Sequence, residues 1–300
     1  MRPEMQQRIR ERSREIVDPA GRAVRVLDDL AAAEIARQGG LDLPGVYREA
    51  LGLGIRPYRY IRNGDVLSVG EQLRLAESRV AVAGAGGLGG QVILLLARLG
   101  VGTLVVVDCE RFDESNLNRQ ALCANGTVGE LKALAAAAAV AAVNPGVRVI
   151  PHPVRLDAAV IDEILAGSDA VVDGLDNVPD RLLLQAAAAR RGIPMVHGAL
   201  AGFEGRVMTV LPGDAGVKAL YGESADRADP ERPEALLGVP AVTAALVGTL
   251  QAMEVLKILL GRGTLFRNVM AYADLEKGRL ESFRFGGEAQ EPQGGRCPRS

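Results

Sequence analysis

From about residue 58 onward, short aliphatic runs alternate with longer segments that mix apolar and polar residues. The runs predict strands over 79–84, 103–108, 147–151, 169–173, 193–197, 204–211, 267–273 and 278–284, and the longer segments predict helices over 87–99, 129–143, 157–166, 178–191 and 240–261. Strand–helix alternation through the first half implies right-handed β-α-β crossovers and a parallel sheet. The stretch RNVMAYADLEKGRLESFRF reads as a hairpin, so the second half is predicted to be antiparallel. Residues 1–57 read differently. RPEMQQRIRERSREIV and GRAVRVLDDLAAAEIARQ are rich in helix formers, with Gly39-Gly40 and Pro44 as punctuation. They predict a helical N-terminal extension, its first piece too charged to contribute much core, acting as a lid or an oligomer contact. Residues 58–300 then form the main domain. Within it, residues 212–238 have few apolar side chains and many turn formers, and a loop of that length is usually functional or mobile.

Composition narrows the class. The chain has 300 residues, 48% of them hydrophobic, which is enough for a sizeable core. A formal net charge of −2, with no basic aromatic stretch, offers no general attraction to nucleic acid or an anionic membrane. Cys109, Cys123 and Cys297 are the three cysteines, and no two form a C-x-x-C pair. They suggest neither a disulfide framework nor a thiolate zinc site, and they fit a reducing compartment. The charged start MRPEMQQRIRERSREI is not a secretory signal. The longest apolar stretch, 241–260, carries Gln251, Glu254 and Lys257, so it reads as a buried helix and not a membrane span. The expectation is a cytoplasmic protein.

The candidate chemistry begins at VAVAGAGGLGG, residues 80–90. Gly84, Gly86 and Gly89 form G-x-G-x-x-G between a predicted strand and a predicted helix, with Gly87 where the helix opens. Such a turn brings backbone close to a phosphate and points free N–H groups at it. This makes the sheet Rossmann-like: an α/β fold with a parallel first half and an antiparallel second half, flanked by helices. Asp108 ends the next strand, 19 residues after Gly89, where a ribose partner is expected. NAD and ATP both carry a ribose, so Asp108 does not choose between them. The polar cluster SNLNRQ, with Asn116, Asn118, Arg119 and Gln120, does. A hydride-transfer site has no evident use for it, whereas phosphoryl or nucleotidyl transfer uses arginine to bridge phosphate oxygens.

Seven stretches, in order, resemble the ubiquitin-activating superfamily in its bacterial ThiF/MoeB/HesA branch. They are RYIRN (59–63), AGAGGLGG (83–90), VVVDCERFDESNLNRQ (105–120), TVGELKA (127–133), VVDGLDNVPDRL (171–182), HGALAGFEGRV (197–207) and GTLQAMEVLKIL (248–259). The resemblance implies an ATP-binding adenylation domain that joins ATP to the C-terminal glycine carboxylate of a small ubiquitin-like carrier ending in Gly-Gly. It implies Arg119 and Lys132 as cations on the triphosphate, and Arg62 reaching the active site of the other protomer of a homodimer. Asp176 is implied as the Mg²⁺ ligand, and a carboxylate just past a strand's C-terminal end does lie over the nucleotide crevice. Glu110 stands where an aspartate is common, Asn63 where glutamine is usual, and Asn177 suits a helix N-cap. Arg181 reads as a helix surface residue.

Many relatives bind zinc through two C-x-x-C pairs, but here only Cys297 remains near the C-terminus, so no zinc is expected. Residues 212–238 contain no cysteine, so no enzyme thioester is expected, and Cys109 and Cys123 read as small packed groups. Three other functions compete. One is activation of a small molecule, a peptide or a tRNA base. Another is a non-catalytic dimer partner, which would have lost Arg119, Lys132 and Asp176. The third is an NAD-dependent oxidoreductase, which would need a proton donor such as His152 or His197, residues that read as structural.

Overall fold

The computed structural model describes residues 2–222 and 236–285. In chain order the elements are α1 (Arg2–Arg12), β1 (Arg14–Val17), β2 (Ala23–Leu27), α2 (Asp29–Gly39), α3 (Leu43–Gly52), β3 (Arg56–Pro57), α4 (Val69–Glu77), β4 (Arg79–Ala83), α5 (Gly87–Leu99), β5 (Thr103–Val107), α6 (Lys132–Val143), β6 (Arg148–His152), α7 (Ile161–Ile164), β7 (Ala170–Asp173), α8 (Val178–Arg191), β8 (Met195–Ala201), β9 (Glu204–Val210), α9 (Val217–Tyr221), α10 (Ala241–Leu260), β10 (Val269–Asp274) and β11 (Arg279–Arg284). Two 3₁₀ turns, Tyr58–Asn63 and Glu114–Asn116, also lie among the described residues.

Val80 and Val82 of β4 face one side of the main sheet, and Ala81 and Ala83 the other. Both sides are buried because successive strand residues point in opposite directions and helices cover both faces. On one face α5, α6 and α10 pack through Leu88, Val92, Leu96, Ala136, Val140, Val247 and Val255. On the other, α7 and α8 pack through Ile161, Ile164, Leu184 and Ala188. The strand order is β11-β10-β9-β8-β7-β4-β5-β6. β6, β5, β4, β7 and β8 run parallel. β8 to β11 then pair antiparallel. The α/β, half-parallel and half-antiparallel sheet expected from the sequence is therefore the one observed.

α10 is long and apolar enough, by length and composition, to cross a membrane. Its position shows it to be a core helix lying on β8, β9 and α5. Gln251 Nε2 donates to the Asp173 carbonyl (2.8 Å). Glu254 Oε2 accepts from the Thr209 hydroxyl (2.6 Å) and from the Phe266 N–H (2.8 Å). Both side chains are fully buried, and their hydrogen bonds anchor the helix to the sheet.

Two helices are shorter than the sequence predicts. α7 spans 161–164; ahead of it the Asp157 carboxylate accepts from the Ala159 and Val160 N–H groups and its carbonyl from the Ile161 N–H, so residues 158–160 form a capped turn leading into the helix. α6 starts at Lys132, since Gly129 holds φ +87° and donates to the Phe112 carbonyl. The N-terminal region corrects the all-helical expectation more deeply. β1 and β2 form an antiparallel hairpin, and β3 adds to β2 in parallel. Asp18 accepts from the Ala20 and Arg22 N–H groups to close the turn, with Gly21 at φ +81°. The charged first helix also contributes core after all: Met5 and Ile9 pack with Leu27, Ile35, Val46 and Tyr47 in a separate cluster.

Candidate active site

The glycine turn is built by close backbone approach. Gly84 sits at φ +90°, and a Cβ there would lie 2.6 Å from the Gly174 carbonyl oxygen. Gly86 is the N-cap of α5 and Gly87 its first residue. Gly89, singled out with them as a ligand residue, has another job. A Cβ on it would lie 1.8 Å from the Gly84 oxygen, so it lets α5 press against the turn, and it does not line the cavity. Asp108 braces the turn from the side: its carboxylate accepts from the Ala85 N–H (2.8 Å) and the Glu110 N–H (2.8 Å). Burial pushes the pKa of Asp108 above the ordinary carboxylate value.

In front of the turn lies a cavity of 1030 Å³. It brings together Gly84, Gly86, Gly87, Asp108, Glu110, Asn116, Arg119, Gln120, Lys132, Asp176 and Asn177. Lys132 Nζ donates to Glu110 Oε2 (2.6 Å), with the lysine side chain 5% exposed and the glutamate 64%. Arg119 is held by its own loop, Nη1 donating to the Ser115 carbonyl (2.8 Å) and Asn118 Oδ1 (3.0 Å). Asn116 Oδ1 accepts from the Asp113 N–H, which shapes the preceding 3₁₀ turn. Gln120 is buried, and its Oε1 has no hydrogen-bond partner among the described residues. Asn177 caps α8 by accepting from the Asp180 N–H (3.0 Å), as its position suggests, and its Nδ2 donates to Asp176 Oδ1 (3.3 Å). The Asp176 carboxylate itself is exposed beyond the end of β7.

Arg62 does not line this cavity; it is exposed on the 3₁₀ turn Tyr58–Asn63. The structure adds a further cation, Arg155, from the β6–α7 loop, and a less polar part of the lining made by Val154 and Leu156 of the same loop with Leu175, Leu200 and Val239. No local motif marks Val154, Arg155 and Leu156; the path of the chain between β6 and α7 brings them there. Arg181 is corrected from a surface residue to a buried one, 3% exposed, that also lines the cavity. Cys109 is corrected from a packed residue to an exposed one on the cavity wall, while Cys123 is half-buried against the core. Neither histidine lines the cavity. His197 is fully buried, its Nδ1 lies 2.7 Å from Asp173 Oδ2, and burial lowers its pKa. Among the described residues, no group of three or more His, Cys, Asp or Glu side chains could hold a metal. Cys297 lies outside the described residues, as does the 223–235 part of the long loop.

Fold and cavity together define a Rossmann-like nucleotide-binding protein, with basic and amide side chains crowded beside its glycine turn. The chain belongs to the ThiF family, whose model matches residues 59–298. It is 44% identical over 214 residues to the SAMP-activating enzyme E1 of Haloferax volcanii, covering 68% of this chain and 76% of that one. It is 42% identical over 228 residues to the sulfur carrier protein adenylyltransferase of Thermus thermophilus, covering 73% and 83%. With the molybdopterin-synthase adenylyltransferase of Escherichia coli it shares 37% identity over 197 residues, covering 64% and 77%. The fold is also that of E. coli MccB crystallised with MccA, at TM-score 0.66 and 17% identity over 86% of this chain and 83% of that one.

Proposed function

We propose that the chain is an ATP-dependent adenylyltransferase that activates the C-terminal carboxylate of a small ubiquitin-like sulfur carrier protein. One observation carries the reading. In a chain of this family, the cavity beside the glycine turn gathers Asp108, Asn116, Arg119, Gln120, Lys132 and Asp176, which are groups suited to a ribose and a triphosphate. An α-carboxylate with an ordinary pKa of roughly 3.5 is already ionised at neutral pH, so the reaction needs no general base. The carboxylate oxygen attacks the α-phosphorus. A new O–P bond forms, the bond from the α-phosphorus to the bridging oxygen breaks, and pyrophosphate leaves with the electron pair. What the protein must supply is alignment and neutralisation of negative charge.

In this reading the N–H groups at the start of α5 meet phosphate oxygens, Asp108 and Glu110 meet the ribose, and Asn116 and Gln120 orient the polyphosphate. Arg119 and Lys132 balance its charge. Lys132 is poised for this: its ammonium is paired with a solvated glutamate that can release it. Arg62 completes the site of the second copy in a homodimer, which accounts for its exposure and its place outside this chain's own cavity. Asp176 would hold a magnesium ion with waters and nucleotide phosphates. A single exposed carboxylate fits a hard cation that keeps most of its shell as water and phosphate oxygen. When bound, the ion neutralises phosphate charge. The carrier would end in Gly-Gly, and the enzyme would work in the cytoplasm. Pyrophosphate exchange tests the reading. Labelled pyrophosphate should enter ATP only when Mg²⁺ and a carrier ending in Gly-Gly are both present. Exchange absent with every carrier offered, or driven equally by a free amino acid or a tRNA, would reject it.

A further inference from the structure

Behind the Asp176 turn lies a buried polar cluster with no part in the proposed adenylation step. Arg181, one turn into α8, is 3% exposed. Its Nη2 donates to the Leu175 carbonyl (2.7 Å), and its Nη1 donates to the Tyr221 hydroxyl (3.2 Å). Its guanidinium carbon stands 5.6 Å from the centre of the Tyr221 ring, and its Nε lies 3.7 Å from Asp173 Oδ2. Asp173, fully buried, accepts from the Leu175 N–H (3.0 Å) and meets His197 Nδ1. The His197 and Tyr221 rings meet edge to face, 5.9 Å between centres. Both backbone polar groups of Leu175, the residue just before Asp176, are thus held by this cluster.

Tyr221 ends α9, and α9 is seated on α8 at two points. Gln185, four residues after Arg181 and so on the same helix face, accepts from the Val217 N–H (2.7 Å) and donates to the Ala215 carbonyl (3.0 Å). Arg181 meets Tyr221 at the other end. One face of α8 therefore clamps α9 and, through the same guanidinium, the turn that carries Asp176. Keeping an arginine in so buried a place costs desolvation, and a non-polar pair would serve simple packing as well. The geometric return is a fixed peptide at Leu175.

We infer that Tyr221 is a positioning residue for the nucleotide-metal turn: through Arg181 it fixes the Leu175–Asp176 peptide, so the seating of α9 sets the direction of the Asp176 carboxylate. The inference rests on the adenylyltransferase reading for its link to magnesium, but the tether itself does not. Tyr221→Phe removes the hydroxyl and keeps the ring over the guanidinium. In the nucleotide-free protein, amide hydrogen exchange across 174–178 should quicken roughly tenfold, with β4 and α5 unchanged. In carrier-dependent pyrophosphate exchange, the Mg²⁺ concentration for half-maximal rate should rise about five- to tenfold while kcat at saturating Mg²⁺ is kept. Tyr221→Leu, which also loses the ring, should show both effects more strongly. Unchanged amide exchange at 174–178, or an increase spread over the whole sheet, overturns the tether. Local quickening with an unaltered Mg²⁺ requirement overturns the link to the metal. If the wild-type protein shows no carrier-dependent exchange at all, the functional reading fails, and the amide measurement alone then decides the tether.

Discussion

Lys132 can be asked whether it serves stability or chemistry, because the structure predicts different sizes for the two. Lys132→Met keeps the unbranched stem and most of the volume, so packing loss is small. What goes is the ion pair with Glu110. The lysine side chain is 5% exposed, but the glutamate is 64% exposed and stays solvated when left alone. Such a pair belongs with surface ion pairs worth about 0–1 kcal/mol. Folding should therefore weaken by no more than about 1 kcal/mol, or roughly 2–4 °C in Tm for a domain of this size. A donor aimed at charge developing on a transferring phosphoryl group is worth about 2.7–4 kcal/mol, or roughly 10²–10³ in kcat. Thermal melting and carrier-dependent pyrophosphate exchange on the same preparation separate the two scales. The reasoning fails if exchange drops less than about tenfold, or if Tm falls by about 10 °C or more. Glu110→Gln is the control: were the pair structural, it would shift Tm as much as Lys132→Met does.

Arg62→Ala and Asp176→Ala should each be inactive as homodimers, yet mixed and allowed to exchange subunits they should recover roughly a quarter of the wild-type rate, since half the dimers would hold one intact site. No recovery on mixing, with exchange of subunits verified by mass, would place Arg62 outside the active site. Gly89→Ala puts a methyl 1.8 Å from the Gly84 oxygen, so α5 must back away; a loss of about 1–3 kcal/mol by denaturant titration is expected, with weaker ATP binding. His197 is fully buried with a lowered pKa, so the unfolded chain takes up its proton first as pH falls. Its contribution is present above the unfolded value of about 6.5 and is lost below it, by up to about 1.4 kcal/mol per pH unit. Denaturant midpoints from pH 7.5 to 5.5 measure this slope, and His197→Gln should flatten it; an equal slope in both proteins would deny the histidine that part.

How far the sequence could be read depended on the range of the interactions involved. Val80 to Ala83, Thr103 to Val107 and the glycines after them are strand and turn signals carried by neighbouring residues. The Asn177 cap acts over three residues. The β1–β2 hairpin is local too: the Asp18–Gly21 turn between two runs that carry β-branched residues marks it.

Arg181, Leu156, Val154 and Tyr221 could not be read in this way. Arg181 meets Tyr221 across a long stretch of chain, and Tyr221 meets His197 across another. The amino-acid order by itself determined the α/β alternation, the glycine turn and the membership of the ThiF family, because these are encoded in spacing and residue type. Tertiary structure alone decided which side chains share the cavity, that Gly89 packs a helix and does not line the cavity, and that Arg181 is buried. Burial and contact are properties of strands and helices brought together across long stretches of chain, and a linear pattern carries no record of which distant residue closes each gap.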